Sequence, residues 1–321
     1  MAHKIFSPQD FPTYLPKLNS LYDDLFADGK GFRSKLVKIV SKPLGIKNET
    51  QDLLCQTIEF IHNASLLHDD LIDRSHLRRG KPAAWTKYSP EYAVLAGDYL
   101  LARVMVNLSG YGNIKLVQLT SETISNLLEG EWLQDSVVGD FYITSSQLDR
   151  IHNLKTASLF KWCLKAPFVA QEIYDLEVHR LLDEIGILLG QLFQRSDDLL
   201  DFDIRNDEGK AVLGDLKSGY LNSFGAYISE KWSKQEIDRM IKVRNMNEFY
   251  QLFSTDSNQS KEIFFQHVDR FDQINLDKIN LYNHYVLELK NKLVSRFYEN
   301  DLFYKTLNSL PDLLYFRRKS S

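Results

Sequence analysis

Proline is scarce in the long middle of this 321-residue chain, and its absence there excludes frequent helix breaks. Of the eight prolines, only Pro167 lies between Pro90 and Pro311. Because proline breaks the interior of a helix, long helices can form on both sides of it. No segment shows the polar and apolar alternation between tight turns that is typical of a half-buried strand. The sequence is therefore expected to fold into helices almost throughout.

Cysteines and long apolar runs are also few. The two cysteines, Cys55 and Cys163, lie in apolar surroundings and are expected to be buried, reduced thiols. No run approaches the roughly 18 apolar residues of a membrane-spanning helix, and the first residues lack the apolar stretch of a signal peptide. The net charge of −4 argues against a broad nucleic-acid surface. We expect a cytoplasmic protein with no nucleic-acid partner and at most peripheral membrane contact.

Apolar residues recur at helical spacing over much of the chain. None of the breaks between these segments is long enough or biased enough to be an interdomain linker. The sequence therefore predicts a single all-α domain over residues 1–321. Its clearest helices are 92–108, 116–133, 176–202 and 279–297.

Two aspartate clusters have the same spacing although they lie far apart in the chain. Residues 69–73 read DDLID and residues 197–201 read DDLLD, so each matches DDxxD. The first and last aspartates of such a cluster share one face of a helix. Three acids in little more than one turn repel one another unless cations bridge them, and oxygen ligands favour magnesium, which often shares substrate phosphates. Antiparallel helices could bring the clusters face to face and hold a magnesium–diphosphate complex between them.

Basic residues near the first cluster fit a polyanionic ligand. Arg78 and Arg79 follow the acids after a short loop, and guanidinium groups fork onto phosphate oxygens. Lys30 and Arg33 lie at a glycine-containing helix start, where phosphate binds readily. Taken singly, such residues are more often surface residues, and a histidine is more often a core or capping residue. Beside the acids, further candidates for contacts with the ligand are His62, Lys155, Thr156, Gln194 and Lys210.

In this order along the chain, these elements resemble the trans-type isoprenyl diphosphate synthases. The matching region covers residues 30–220 and includes both DDxxD clusters and the Arg-Arg-Gly element after the first. The remaining matching elements are Gly97-Asp98, Glu129-Gly130-Glu131, Lys155-Thr156-Ala157, Phe193-Gln194 and Gly209-Lys210.

The resemblance implies an isoprenoid-synthase-type helical bundle around a deep central cavity, usually as a homodimer. It also implies isoprenoid biosynthesis by head-to-tail condensation of isopentenyl diphosphate with an allylic diphosphate. Magnesium would be the cofactor, with three ions bridging both motifs and the diphosphate. The metal ligands carried over onto this chain are Asp69, Asp73, Asp197 and Asp201. The catalytic set would comprise Asp69, Asp70, Asp73, Arg78, Lys155, Asp197, Asp198 and Lys210.

The same resemblance divides the substrate-binding residues between two diphosphates. Those that would hold the allylic diphosphate are Arg78, Lys155, Thr156, Gln194 and Lys210. Those that would hold isopentenyl diphosphate are Lys30, Arg33, His62 and Arg79. The departing diphosphate would accept the proton, so no dedicated protein base is required.

Product length in this family depends on the residues just before the first cluster. This chain has Ala64 and Ser65 there, and both are small, so the cavity is expected to accept a product of twenty carbons or more. The stop would then lie deeper, for example at Met105. Small residues also occur at tight helix contacts, and a short-chain farnesyl or geranylgeranyl synthase remains the alternative.

One stretch departs from the family pattern. Where the family often has Gly-Lys-Pro-Thr, this chain has Gly219-Tyr220-Leu221-Asn222, so one diphosphate contact is either missing or moved to Lys217. This departure leaves a non-catalytic subunit of a heteromeric synthase as one alternative. A class I terpene cyclase would share the first cluster, but its second metal motif usually mixes Asn, Ser or Thr with Glu. A phosphohydrolase built on His68 and Asp69, or a purely structural helical protein, would leave the second cluster unexplained.

Overall fold

Helices form most of the described chain in the computed structural model, which describes residues 10–20, 31–78, 80–203, 212–293 and 301–316. The long helices are α1 (Phe32–Ser41), α2 (Asn48–Ile72), α4 (Pro90–Tyr111), α5 (Ile114–Ser136), α6 (Ser145–Lys155), α7 (Ala157–Ala170), α8 (Leu176–Leu200), α13 (Ser257–Leu293) and α14 (Asp301–Tyr315). The shorter ones are α3 (Ala84–Lys87), α9 (Gly214–Lys217), α10 (Ser223–Ser229), α11 (Lys234–Met240) and α12 (Met246–Tyr250).

Local sequence signals explain where several helices begin. Ser89 caps α4 by accepting the Tyr92 amide at 3.2 Å, and Pro90 occupies the first turn, where its missing N–H costs nothing. Asp175 caps α8 in the same way. Thr144 and Gln147 form a reciprocal capping box at α6. The helices predicted over 92–108, 116–133 and 176–202 appear as α4, α5 and α8, with ends that differ by a few residues. The helix predicted over 279–297 is the later part of the much longer α13, and its last four residues lie outside the described residues.

Glycines on α8 allow it to pack closely against α7. A Cβ on Gly190 would lie 2.4 Å from the Ala157 Cα, and one on Gly186 would lie 2.8 Å from the Lys161 Cα. No side chain fits at these distances, so the two helix backbones approach each other directly. The contact places the end of α8, with the second aspartate cluster, beside the start of α7.

The apolar side chains collect into two cores. The main core lies among α1, α2, α4, α7, α8 and the later part of α13, and it contains both cysteines, which are buried and free. A second core lies under the end of α8, where aromatic rings including Phe202, Phe224, Phe249 and Phe264 pack edge to face. Burial raises the pKa of the Cys55 thiol to about 12, so it stays protonated, as expected of a structural thiol.

The strand content of the described residues is one antiparallel pair, β1 (Leu77–Arg78) and β2 (Lys81–Pro82), which forms a hairpin after α2. Two-residue strands leave no alternation to read, which is why the sequence shows no sign of them. None of the helices among the described residues is long and apolar enough to cross a membrane. The single domain over residues 1–321 and the cytoplasmic location stay predictions.

Candidate active site

The first aspartate cluster forms the end of α2, and an arginine from the hairpin holds its middle residue. Asp69 and Asp70 lie in the last turn of the helix, and Asp73 is the cap residue that follows. Asp70 is 4% exposed, and its two oxygens accept hydrogen bonds from Arg78, from Nε at 2.6 Å and from Nη2 at 2.5 Å. This bidentate pair neutralises the buried carboxylate. It also fixes the hairpin against the helix, and Arg78 keeps N–H groups for a further ligand.

Lys155 brings a positive charge to the outer acid of the same cluster. Its Nζ lies 3.8 Å from Asp69 Oδ2 and forms a closer ion pair with Glu131 of α5. A Cβ on Gly130 would come within 2.8 Å of the Lys155 amide nitrogen. Glycine at this position therefore lets α5 approach the end of α6 and places Glu131 beside the lysine.

These charges shift the pKa values of the groups involved. Burial raises the pKa of Asp69 to about 7, and Lys155 opposes the rise. Burial alone would lower the pKa of Lys155, but Asp69 and Glu131 outweigh it and raise that pKa. The pKa of Asp73 is also raised, mainly because burial partly removes its carboxyl group from water. The lysine therefore remains a cation at neutral pH, whereas the acids need a positive partner to ionise fully.

The second cluster ends α8, and neutral donors hold it. Asp198 is 2% exposed and accepts hydrogen bonds from Gln194 Nε2 at 2.9 Å, from the Ser223 amide at 2.9 Å and from the Ser223 hydroxyl. Asp201 Oδ1 accepts the Gly214 amide at 2.7 Å, whereas the buried Oδ2 has no hydrogen-bond partner among the described residues. Burial, with the charge of Asp215 added, raises the pKa of Asp201 to about 7.

A chain of contacts joins the two clusters. Thr156 ends α6 and begins α7, so it follows Lys155 directly at the turn between the two helices. Its hydroxyl donates to Gln194 Oε1 at 3.1 Å, and Gln194 in turn holds Asp198. Contacts therefore run from Asp69 through the Lys155–Thr156 turn to Asp198, which places both clusters in one site.

A second basic group lies between α1 and α2, two helical turns before the first aspartate cluster. Arg33 Nη1 lies 3.0 Å from His62 Nε2, and its guanidinium carbon lies 5.8 Å from the centre of the Phe160 ring. Gly31 precedes α1 with a φ of 55°, a conformation that favours glycine. The glycine turn and the start of α1 thus direct Arg33 to the histidine that the sequence singled out.

Proteins of known function resemble this chain in sequence and in fold. The profile of the polyprenyl synthetase family matches residues 15–253. The chain belongs to the polyprenyl synthetase family. It is 33% identical over 192 residues to octaprenyl diphosphate synthase of Escherichia coli strain K12, a match that covers 60% of this chain and 59% of that protein. It is 32% identical over 249 residues to decaprenyl-diphosphate synthase of Dictyostelium discoideum, which covers 75% of this chain and 52% of that protein.

A solved member of the family confirms the fold. The polyprenyl synthase of Caulobacter crescentus CB15, complexed with calcium and isoprenyl diphosphate, superposes with a TM-score of 0.74 at 25% identity. The match covers 97% of this chain and 95% of that one. The predicted isoprenoid-synthase-type, all-helical fold is therefore confirmed. In sequence, the chain spans about three fifths of the length of the octaprenyl synthase that it matches.

Most of the residues that were predicted to bind substrate or metal lie together in this site. Three of them, Lys30, Arg79 and Lys210, lie outside the described residues. Lys217, the alternative source of the diphosphate contact that the altered stretch puts in doubt, is exposed and donates from Nζ to the Val212 carbonyl at 2.9 Å. The roles assigned to the individual residues stay predictions.

Several residues of the site were missed by the sequence-based prediction. Glu131 was part of the family pattern but had no role assigned, although it pairs with Lys155. Ser223 anchors Asp198, and Gln134 and Tyr220 lie close to each other and to Asp73. A glycine next to Glu131 was the one signal available for a close helix approach. Serine, glutamine and tyrosine have no spacing that marks them as site residues.

Before a ligand binds, the carboxylate oxygens of the site supply only part of a magnesium coordination shell. Within the part of the chain that the structure describes, no three histidine, cysteine or acidic side chains form a ready-made metal site. The buried, unpartnered Asp201 Oδ2 and the enclosed Asp69 are nevertheless oxygen ligands without a full set of partners. Magnesium typically uses one or two carboxylates and completes its shell with water and substrate phosphate. The residues therefore fit ions that bind together with a diphosphate.

Proposed function

We propose that this protein is a trans-prenyltransferase that condenses isopentenyl diphosphate with an allylic diphosphate in a magnesium-dependent, head-to-tail reaction. The observation that carries the proposal is the chain of contacts from Asp69 through Lys155 and Thr156 to Asp198. It puts two carboxylate clusters and a charged lysine around one space. The names of the related octaprenyl and decaprenyl synthases support the same reaction.

The allylic diphosphate would lie between the two clusters. Lys155 would hold it with a charge that Asp69 and Glu131 maintain, and Thr156 and Gln194 would direct hydrogen bonds at it. Arg78 would add its remaining N–H groups. Such fixed, positively charged donors stabilise the diphosphate as the carbon–oxygen bond ionises, because they face the charge that develops on it. Lys210 would complete this set.

The two aspartate clusters form the two walls of the site, and carboxylates from both walls would hold the metal ions. The number of three ions stays a prediction. Magnesium bound there would act as a Lewis acid toward the leaving diphosphate. Asp70 and Asp198 would position their neighbours rather than bind metal, because Arg78 and Ser223 already occupy their oxygens. The proposed metal ligands are Asp69, Asp73, Asp197 and Asp201.

Isopentenyl diphosphate would bind at the second basic group. Arg33 and His62 lie 3.0 Å apart and would hold its diphosphate together with Lys30 and Arg79. The centre of the Phe160 ring lies within 6.0 Å of the ring centres of Phe32 and Phe193. An apolar wall of this kind excludes water, which would otherwise quench the allylic cation. The diphosphate that has left accepts the proton.

Product length would depend on the residues one turn before Asp69. Ser65 is four residues before Asp69, so it shares its helix face, and it is half-buried with its hydroxyl donating to the His62 carbonyl at 2.9 Å. Ala64 is fully buried in the main core. Small side chains here leave room for a product of twenty carbons or more, and the similarity to octaprenyl and decaprenyl synthases favours the longer end.

Replacing these residues tests that inference. Ala64→Phe and Ser65→Phe should each shorten the main product, since an aromatic ring would block the helix face below the diphosphate. Product length is read by mass spectrometry. Ser65→Phe is the safer variant to fold, because Ala64 is fully buried whereas Ser65 is half-buried. Unchanged product length in a folded Ser65→Phe protein would show that the stop lies elsewhere.

A homodimer fits the exposed apolar faces of α4 and α5. Leu95 and Val106 share one face of α4, and Leu128 and Trp132 share one face of α5. Trp132 is 80% exposed, which is unusual for so large an apolar side chain without a partner. A second copy of the chain would cover this surface. Light scattering should give twice the chain mass, and Trp132→Glu should reduce the mass to that of one chain.

Incubation with substrates tests the reaction itself. Purified protein with magnesium and isopentenyl diphosphate is combined separately with geranyl, farnesyl or geranylgeranyl diphosphate, and the products are identified by mass spectrometry. We expect a series of prenyl diphosphates that ends at a defined length. A hydrocarbon or alcohol formed without isopentenyl diphosphate would indicate a cyclase instead. No product with any primer would contradict the proposal.

A further inference from the structure

Four polar side chains join α6 to α8 through two direct contacts. Gln191 Nε2 of α8 donates to Asn153 Oδ1 of α6 at 2.9 Å. One turn further along α8, Arg195 Nη2 donates to Asp149 Oδ1 at 3.0 Å. On each helix the two residues are four positions apart, so they lie on one face. These four residues form a row between the helices, called here the α6–α8 polar cluster.

Arg195 carries the most deeply buried charge of this cluster. Its side chain is 7% exposed, whereas that of Asp149 is 26% exposed. The guanidinium also donates to Asn275 Oδ1 of α13 at 3.4 Å and lies over the Phe271 ring, 5.5 Å from its centre. A buried ion pair adds little net stability, because the attraction between the charges only partly offsets their loss of water. Fixing the register of the elements that it joins is the better-attested effect of such a pair.

The last two helices hold the cluster from a second side. Lys278 of α13 donates from Nζ to Gln191 Oε1 at 2.7 Å, and the same Nζ lies 3.8 Å from Asp149 Oδ2. Asn275 donates from Nδ2 to the hydroxyl of Tyr315, which ends α14, at 2.9 Å. The polar residues of α8 are therefore held both by α6 and by α13.

The α6–α8 polar cluster determines where α6 lies along the axis of α8. Apolar contacts are non-directional and allow packed helices to slide, whereas a hydrogen bond requires its donor to face its acceptor. α6 ends at Lys155, and Thr156 follows it, while α8 ends in the second aspartate cluster. A shift of α6 along α8 would therefore move Lys155 and Thr156 relative to Gln194 and to the aspartates of the second cluster.

We propose that the α6–α8 polar cluster, and above all its Arg195–Asp149 pair, positions the end of α6 for binding of the allylic diphosphate. The two residues are positioning residues, since neither would touch the substrate. Isopentenyl diphosphate should bind independently of the cluster, because Arg33 and His62 lie on α1 and α2. The inference rests on the proposed function and assigns a role to side chains outside the site itself.

Steady-state kinetics of Arg195→Met test the inference. Methionine can keep the contact with the Phe271 ring but removes the charge and both hydrogen bonds. The KM for farnesyl diphosphate should rise by about tenfold, whereas the KM for isopentenyl diphosphate should change by less than about twofold, because displacement of binding groups affects only the ligand that they hold. Arg195→Lys keeps a cation beside Asp149 without the planar fork, so it should recover part of the loss.

Arg180→Met is the matched control. Arg180 lies near the start of α8 and pairs with Glu177 and Glu288, so the same substitution on the same helix should leave the kinetic constants unchanged. A second variant covers the case in which Arg195→Met does not fold. Asn153→Ala removes the other contact of the cluster at a half-buried position and should raise the KM for farnesyl diphosphate by about threefold.

The outcomes separate this inference from the proposed function. Equal rises in both KM values, or a lower melting temperature with unchanged KM values, would show a purely structural role and overturn the inference. If the wild type forms no prenyl product, the proposed function fails. Calorimetry with inorganic pyrophosphate and magnesium then tests the positioning role alone. Binding about tenfold weaker in Arg195→Met than in the wild type supports it, and equal binding by the two proteins overturns it.

Discussion

The two aspartate clusters have the same spacing but opposite surroundings. The first, at the end of α2, is held by cations, since Arg78 pairs with Asp70 and Lys155 approaches Asp69. The second, at the end of α8, is held by neutral donors, namely the Gln194 amide, the Ser223 amide and hydroxyl, and the Gly214 amide. One motif therefore produces two different electrostatic environments.

The difference indicates that the two walls bind a magnesium–diphosphate complex in different ways. The first wall carries its own positive charge, so it can hold a diphosphate through Lys155 and Arg78 as well as through metal. In the second wall, the donors to Asp198 and Asp201 among the described residues are neutral, and Asp215 adds further negative charge to Asp201. We infer that the second wall depends more strongly on magnesium. The following variants test this contrast.

The largest expected effect is on turnover when an outer acid is removed from either wall. Asp69→Asn and Asp201→Asn should each lower kcat by about 10²–10³-fold, the scale seen when one preorganised group that stabilises developing charge is lost. The assay is prenyl transfer at saturating substrate. Asp183→Asn is the control. Asp183 lies in the first half of α8, far from the cluster at its end, and pairs with Lys165 of α7.

Equal losses in the two walls would support one shared site. Near-normal turnover in Asp201→Asn, with a large loss in Asp69→Asn, would mean that the second cluster is structural and would remove the contrast altogether.

The next effect is on stability and concerns the middle acids. Asp198→Ala leaves the buried Ser223 amide and Gln194 without an acceptor, so it should lower the free energy of unfolding by about 2–3 kcal/mol. Asp70→Ala should cost less, about 1 kcal/mol, because the Arg78 side chain is 37% exposed and water can replace its partner.

Urea denaturation measures both losses, with Asp198→Asn as a variant that keeps one acceptor and should lose less than Asp198→Ala. If Asp70→Ala lowered the free energy of unfolding more than Asp198→Ala, the first cluster and not the second would be the more strongly held.

The last prediction concerns the pH dependence of the magnesium-free protein. Asp69 and Asp201 have pKa values of about 7 when folded, above the value of about 3.9 in an unfolded chain. Their contribution to stability is therefore complete below pH ~4 and is lost as the pH rises through about 7, by up to about 1.4 kcal/mol per pH unit for each group. The free energy of unfolding should fall between pH 5.5 and 7.5 in the presence of a chelator.

The double variant Asp69→Asn/Asp201→Asn controls for all other titrating groups. Its free energy of unfolding should fall less steeply than that of the wild type over the same range. Identical slopes would mean that the two acids ionise as they do in the unfolded chain.

Periodic and repeated features could be predicted from the sequence. Apolar spacing predicted α4, α5, α8 and the later part of α13, since each helix buries one face against the main core. The identical spacing of the aspartates predicted that both clusters serve one site. The polar segment 231–273 had no recognisable pattern, yet it folds as α11, α12 and the start of α13 around aromatic side chains such as Phe249 and Phe264.

Features that depend on tertiary contacts could not be predicted. Glu131 meets Lys155 only because Gly130 lets two helices approach, and Ser223 meets Asp198 across 25 residues of chain. Arg78 was expected to hold the substrate, and its pairing with Asp70 depends on a hairpin too short to show in the sequence. Such partners are chosen by the fold and have no local sequence signal.

The most direct test of the account is the binding of pyrophosphate to the protein, measured by calorimetry with and without magnesium. If both walls hold one magnesium–diphosphate complex, the wild type shows one magnesium-dependent pyrophosphate-binding event per chain, and Asp69→Asn and Asp201→Asn each weaken that event. Two binding events, each of which survives mutation of the opposite wall, would contradict a shared site.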